Sequence, residues 1–380
     1  MKFTPYGNHY LDKKDYSAVL KSLKYPILTR GPEVEVFEKN IAKYVGSKYA
    51  VAVSSCTAGL HLALMCLSKD NRNKVITSPI SFVSTANTIL LNDLKPIFTD
   101  INSKTLNIDS AILYKNFINK KNIKAIIPVH LTGLASDSKK IFEFSKKKKI
   151  TVIEDAAHSF GGKYKCGSII GSCKYSDMTV FSFHPVKSIT TLEGGVITTN
   201  SKKLYNKLCI LRNHGMEKKK FHPPWFYEVN EVGLNYRISD VQCALGNSQL
   251  KKLNKIMNLR KEIAEIYDEE LSNINNLDLP GIGKRERSAN HLYVLNIDFN
   301  KIKINRSKFC KIMFENKIGT QLHYIPIPLH NSYKKLGYNL KNLPNAKKYY
   351  KKAISIPIFA NLRVSKQKKI IKVIKSILTK

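Results

Sequence analysis

The sequence predicts an α/β protein: a large domain built on a mostly parallel seven-stranded sheet, followed by a smaller C-terminal α+β domain. Three observations predict it. From about residue 45 to 200, short apolar runs rich in β-branched residues alternate with amphipathic stretches, which is the pattern of βαβ units. After about residue 245 a long lysine-rich helical pattern and a turn-rich loop replace that alternation. A chain of 380 residues also exceeds the usual size of one domain. The expected division is an N-terminal segment over 1–30, a large domain over 31–245 and a small domain over 246–380.

The first 30 or so residues show no core pattern of their own and are expected to dock on the small domain or on a partner subunit. Strands are expected at Tyr49 to Val53, Val75 to Ser78, Pro96 to Thr99, Ala125 to Val129, Thr151 to Glu154, Met178 to Phe183 and Val196 to Thr198. Between them, Ala58 to Leu67 and Lys139 to Lys148 are long enough for crossover helices. The small domain begins with one long helix from Leu250 to Leu271 and turns at Pro280-Gly281-Ile282-Gly283. It continues with a strand from His291 to Ile297 and further helices.

Composition narrows the function. The formal net charge of +36 comes from 64 Lys+Arg against 28 Asp+Glu. Its lysines are spread over helix faces and loops, as in Lys146 to Lys149 and Lys218 to Lys220, without the interleaved aromatics of a stacking platform. No nucleic-acid partner is therefore expected; the charge reads as a solvated surface that attracts anionic substrates. The seven cysteines are odd in number and form no C-x-x-C pair, which suits a reducing compartment, and no metal ligand set is assigned. The opening MKFTPYGNHYLDKKDY has no apolar signal core, and no later run approaches the ~18 apolar residues of a membrane span. A cytoplasmic protein with no membrane partner is expected.

An open parallel sheet binds ligands at the carboxyl ends of its strands, so the residues that follow the strands carry the chemistry. After the first strand, Ser54-Ser55-Cys56-Thr57-Ala58-Gly59-Leu60 opens a helix, either as an anion nest or as an ordinary N-cap. After the second comes Phe82, a core residue or a stacking face for a flat ring. After the fifth comes Asp155 with His158, an acid suited to pairing with a protonated pyridine nitrogen or to capping the next helix. The sixth strand leads into FSFHPVKSITTLEGG, Phe181 to Gly195, which places Lys187 where an aldehyde cofactor could be held and Ser182 where a phosphate could take its hydroxyl. Together these pieces suit one ligand, pyridoxal phosphate.

The same residues resemble the DegT/DnrJ/EryC1 family of sugar aminotransferases, a branch of the fold-type I pyridoxal-phosphate enzymes. The likeness runs in order through LTRGPEVEVFE, VSSCTAGLHLAL, SPISFVSTAN, VIEDAAHSFG, the Lys187 block, LRNHGM, GLNYRISDVQCALG and GTQLHYIPI. It implies Lys187 as the catalytic Schiff-base residue and Asp155 as partner of the ring nitrogen. Phe82 and His158 would flank the ring, with Cys56, Thr57, Ala58 and Ser182 around the phosphate. Asn235 would reach the phosphate in a neighbouring subunit, so a homodimer with shared sites is implied. Some relatives carry histidine in place of the lysine and act as dehydratases; the lysine here favours transamination.

Within the family, the blocks PISFVSTAN, KSITTLEGG, RNHGMEKK and HLYVLNI are most similar to the branch that serves pseudaminic acid synthesis. That branch transfers an amino group from L-glutamate to C4 of UDP-2-acetamido-2,6-dideoxy-β-L-arabino-hexos-4-ulose. In it Tyr6, the segment Pro26, Ile27, Leu28 and Thr29, and the segment Leu322, His323, Tyr324 and Ile325 would touch the nucleotide sugar. Cys56 stands where relatives often carry Ala or Gly, and His158 where many carry Gln. These departures leave open another nucleotide 4-keto sugar, of the perosamine, bacillosamine or 4-amino-arabinose type.

Overall fold

The computed structural model describes residues 3–68, 70–218 and 222–379. Lys219 and Lys220 of the lysine runs noted above lie outside them. The chain opens with α1 (Lys13–Ser22) and α2 (Pro32–Val45), then alternates β1 (Tyr49–Val53), α3 (Cys56–Met65), β2 (Lys74–Thr77), α4 (Ser84–Leu90) and β3 (Lys95–Phe98). It continues through α5 (Ser110–Phe117), β4 (Ile123–Ile127), α6 (Ser138–Lys148), β5 (Thr151–Asp155), β6 (Met178–Ser182), β7 (Gly195–Thr199) and α7 (Lys202–Leu211). A two-strand ribbon of β8 (Met216–Glu217) and β9 (Glu228–Val229) precedes α8 (Asp240–Leu250) and α9 (Leu253–Leu271). The last part holds β10 (Leu277–Asp278), β11 (Tyr293–Ile297), α10 (Arg306–Glu315), α11 (Asn331–Lys335), α12 (Pro344–Lys352), β12 (Ala353–Ile356) and α13 (Val364–Leu378).

All seven expected strands form one sheet in the order β1-β7-β6-β5-β4-β2-β3. Only β7 runs antiparallel to its neighbours, β1 and β6; the other pairs are parallel. Both faces are covered, because adjacent residues enter different cores: Val51 and Val53 pack with Leu60 and Val180, while Ala50 and Ala52 pack with Phe37 and Phe181. That double burial explains why the strands read as nearly continuous apolar runs.

A second core over Ile263 to Leu378 surrounds the three-stranded sheet β10-β11-β12. Helix α9 serves both: Leu253 and Ile256 pack with the large-sheet residues, and Ile263, Ala264, Tyr267 and Leu271 pack with the second core. The change from one core to the other thus lies between Ile256 and Ile263, whereas position 245/246 falls inside α8.

Two local readings need correcting. The long helix expected from Leu250 starts three residues later, at Leu253, and then runs to Leu271 as expected, because α8 ends at Leu250. The opening segment also contains a helix, α1, started by a capping box in which Asp12 takes the amides of Lys14 and Asp15 while Asp15 returns a bond to the Asp12 amide. Asp15 is fully buried against α8, accepting from Ser248, Gln249 and Lys252, and Thr4 pairs with Ile318 further on. Among the described residues no helix is long and apolar enough to cross a membrane.

Candidate active site

A cleft of about 680 Å³ opens where β1, β2, β5 and β6 end, and it is closed on the other side by Tyr6 and by residues 321–325. This volume suits a small organic ligand. Its floor is set by three turns at the strand ends.

The first turn carries Lys187. The loop from β6 is pinned because Thr191 donates its amide and Thr190 its hydroxyl to the Phe183 carbonyl, at 2.9 and 3.0 Å. The Lys187 amide bonds the His184 carbonyl at 2.9 Å, and its Nζ lies 3.4 Å from His291 Nε2. Burial pushes the amine down to about 8, against the opposing pull of Cys56 and Asp155, and Arg260 adds to the fall. Burial, reinforced by the Lys187 charge, also pushes His158 and His291 well below the ordinary histidine value, and His323 to about 3. A lysine so placed is partly neutral near pH 8 and is surrounded by neutral imidazoles.

The second turn carries Asp155 at the end of β5. It is buried, accepting from Thr85 Oγ1 at 2.7 Å and from the Ala157 amide at 3.2 Å. Burial raises its pKa although Thr85, Ala157 and Lys187 pull the other way. An acid held in that state gains from any cationic partner brought into the cleft.

The third turn is the start of α3. Ser55 caps it by taking the Ala58 amide at 3.0 Å, which leaves the first-turn amides of Cys56 and Thr57 at the positive end of the helix. Gly195, at the start of β7, makes this approach possible: a Cβ there would lie 2.7 Å from the Cys56 nitrogen and 2.8 Å from the Phe181 carbonyl oxygen. Ser182 is paired with Gly195 across the sheet and faces the same cleft.

Aromatic groups form the walls. His158 Nε2 is 3.1 Å from the Tyr324 hydroxyl, and the Phe82 ring, exposed to the cleft, stands 6.0 Å from that of Tyr324. Tyr6 packs on His323 at 5.2 Å, and His323 Nδ1 is fixed by the Ser355 hydroxyl at 2.8 Å.

The structure therefore brings together Tyr6, Cys56, Thr57, Phe82, Asp155, His158, Ser182, Lys187, Leu322, His323, Tyr324 and Ile325. Ala58 is spent on the Ser55 cap and does not line the cleft. Pro26, Ile27, Leu28 and Thr29 are exposed and also stand outside it, as does Asn235, which pairs with Asn213 on the surface. Sequence reading did not single out Thr85, His291 or Arg260. Thr85 lies within the quoted SPISFVSTAN block, but nothing in its spacing points to Asp155, 70 residues away.

Pyridoxal phosphate fits this donor set. The open amides of α3 with Thr57 and Ser182 would hold its phosphate, Asp155 its ring nitrogen, and Lys187 its aldehyde carbon. Among the described residues the buried His158 Nδ1 has no hydrogen-bond partner.

Comparison with known proteins agrees with this geometry. Residues 9–375 match the DegT/DnrJ/EryC1/StrS aminotransferase family. The UDP-4-amino-4,6-dideoxy-N-acetyl-β-L-altrosamine transaminase of Campylobacter jejuni is 37% identical over 99% of this chain and 97% of its own. The structure of Helicobacter pylori PseC, an aminotransferase of pseudaminic acid biosynthesis, superposes with a TM-score of 0.92 at 32% identity, covering 100% of both chains. Streptococcus pneumoniae Spr1654, assigned as a sugar aminotransferase, superposes in its PLP form with a TM-score of 0.91 at 26% identity, over 99% of both chains.

Proposed function

The chain belongs to the DegT/DnrJ/EryC1/StrS aminotransferase family, and within it we propose that this pyridoxal-phosphate enzyme moves the amino group of L-glutamate to C4 of a UDP-linked 4-keto-6-deoxy-N-acetylhexosamine. The product is UDP-4-amino-4,6-dideoxy-N-acetyl-β-L-altrosamine, a precursor of pseudaminic acid. The observation that carries the chemistry is the partly neutral Lys187 amine sharing one cleft with buried Asp155 and the first turn of α3. The likeness along almost the whole chain to a transaminase named for this sugar supports the substrate.

When bound, pyridoxal phosphate supplies an electrophilic aldehyde carbon and a ring that accepts the electron pair left by proton removal. Lys187 Nζ takes the proton from Cα of glutamate in the first half-reaction and delivers one to C4 of the sugar in the second. Asp155 would hold positive charge on the ring nitrogen, with Thr85 keeping that carboxylate aimed. Phe82, His158 and Tyr324 would bracket the flat ring. Leu322, His323, Ile325 and Tyr6 face the sugar side.

The working unit is a homodimer in which Asn235 and residues 26–29 of each subunit complete the partner's site. Supporting this, those residues are exposed and lie outside their own cleft, and the nearby Trp225 and Val232 are 75% and 81% exposed. We assign the enzyme to the cytoplasm, in keeping with its seven free cysteines.

The test is incubation of purified enzyme and glutamate with the β-L-arabino and the α-D-xylo 4-keto UDP-sugars separately. Amination of the first alone supports the proposal, and amination of the second alone refutes the assigned sugar. Lys187→Ala run in parallel should form no product; turnover at the wild-type rate would exclude its role.

A further inference from the structure

Arg260, on α9, is 1% exposed, and no carboxylate among the described residues forms an ion pair with it. A buried cation without a counter-ion is costly and calls for a reason. Its guanidinium donates only to main-chain carbonyls: Nη1 to Ile358 at 3.1 Å and to Asn290 and His291 at 3.4 Å, and Nη2 to Val186 at 3.2 Å. Its Nε has no partner among the described residues.

Those four carbonyls belong to three separate segments that meet at the cleft. Val186 immediately precedes Lys187, Asn290 and His291 lead into β11, and Ile358 follows β12. His291 in turn reaches the Lys187 amine at 3.4 Å. One guanidinium therefore ties down both the turn that carries the lysine and the imidazole that touches it.

We propose that Arg260 is a positioning residue for Lys187: it clamps the lysine turn to the His291 segment, and its unbalanced charge opposes protonation of the lysine amine. The inference rests on the reading that Lys187 is the residue that bonds the cofactor.

The groups around the amine show why this charge matters. Asp155 faces it from the end of β5 and Cys56 from the first turn of α3. His158 follows β5, His184 lies on the lysine's own turn, His291 precedes β11, and His323 lines the opposite wall. Burial holds Cys56 as a neutral thiol and keeps His158, His291 and His323 neutral; the more exposed His184 is also pushed down. With Cys56 a neutral thiol, Asp155 is the charge that draws a proton onto the amine; burial foremost, and the Arg260 charge after it, push one away. The neutral amine is the form that attacks an aldehyde.

The test follows the absorbance of the lysine–cofactor adduct as apoenzyme is mixed with pyridoxal phosphate across a pH series, for wild type, Arg260→Gln and Arg260→Lys, with circular dichroism to verify folding. The wild-type rate should rise with a midpoint near 8. Arg260→Gln should shift that midpoint up by about one unit, making adduct formation at pH 7 about tenfold slower. Arg260→Lys, which keeps the charge, should stay within a few tenths of wild type. A wild-type midpoint in folded Arg260→Gln overturns the proposal. Should Arg260→Gln fail to fold, Arg260→Met, which also removes the charge, takes its place: a midpoint moved up supports the proposal, and a wild-type midpoint overturns it. A wild-type protein that forms no adduct would overturn the assignment of Lys187 itself, and the clamp with it.

Discussion

Thr85 Oγ1 donates a 2.7 Å hydrogen bond to Asp155 Oδ2, and both groups are buried. The bond favours the charged carboxylate, while burial favours the neutral acid. Thr85→Val keeps the shape and removes the donor. Asp155 should then protonate at higher pH, moving the acidic limb of the kcat/KM profile upward and lowering activity on that limb by roughly fivefold, for a bond of about 1 kcal/mol. An unmoved limb would show that Thr85 is only packing.

The same raised pKa has a sign for stability. In the unfolded chain Asp155 loses its proton at a lower pH than in the folded apoenzyme, so its contribution to stability falls as pH rises from the unfolded value through the folded one. Asp155→Asn removes that penalty. The apo variant should melt about 2 °C above the wild-type apoprotein at neutral pH, with the gap closing below about pH 4, and should lack transaminase activity. Thermal scans at several pH values check it; a variant that melts lower at neutral pH contradicts the argument.

Gly195→Ala tests how closely α3 must approach the sheet. The new Cβ would meet backbone on three sides, at the Cys56 nitrogen, the Ser55 carbonyl carbon and the Phe181 oxygen. The overlap should cost about 1–3 kcal/mol in urea unfolding, and cofactor affinity should fall as the first turn is displaced. Wild-type affinity despite lost stability would mean that this turn does not hold the phosphate.

Shared sites predict complementation. Lys187→Ala and Asn235→Ala subunits, each inactive as a homodimer, should regain activity when mixed and allowed to exchange, because one site of the mixed dimer has both residues intact. Activity that stays absent after exchange, verified by native mass spectrometry, would place Asn235 outside the partner's site.

The seven strands were legible because burial on both faces demands nearly continuous apolar runs such as Ala125 to Val129. The turns at their ends were legible because Lys187, Asp155 and Thr57 keep chemically distinctive residues at positions the sheet order brings together. Arg260 was not, since an arginine in a helix of lysines and glutamates reads as solvated until the fold buries it. Thr85 and His291 escaped for a related reason: each acts through a partner 70 or 104 residues distant, and no local pattern marks such a contact. Helix α1 was missed because its stability comes from Asp15 docking on α8 rather than from an apolar stripe of its own.

Helix α9 belongs to both hydrophobic cores without a break. Over 19 residues it is a rod of roughly 28 Å, anchored at one end under the main sheet and at the other among Tyr267, Tyr293 and Ile354. Any swing of one half of the molecule relative to the other must be transmitted along this beam, and Arg260 sits partway along it. Loop adjustments at the mouth of the cleft would admit substrate while the catalytic floor stays in one piece.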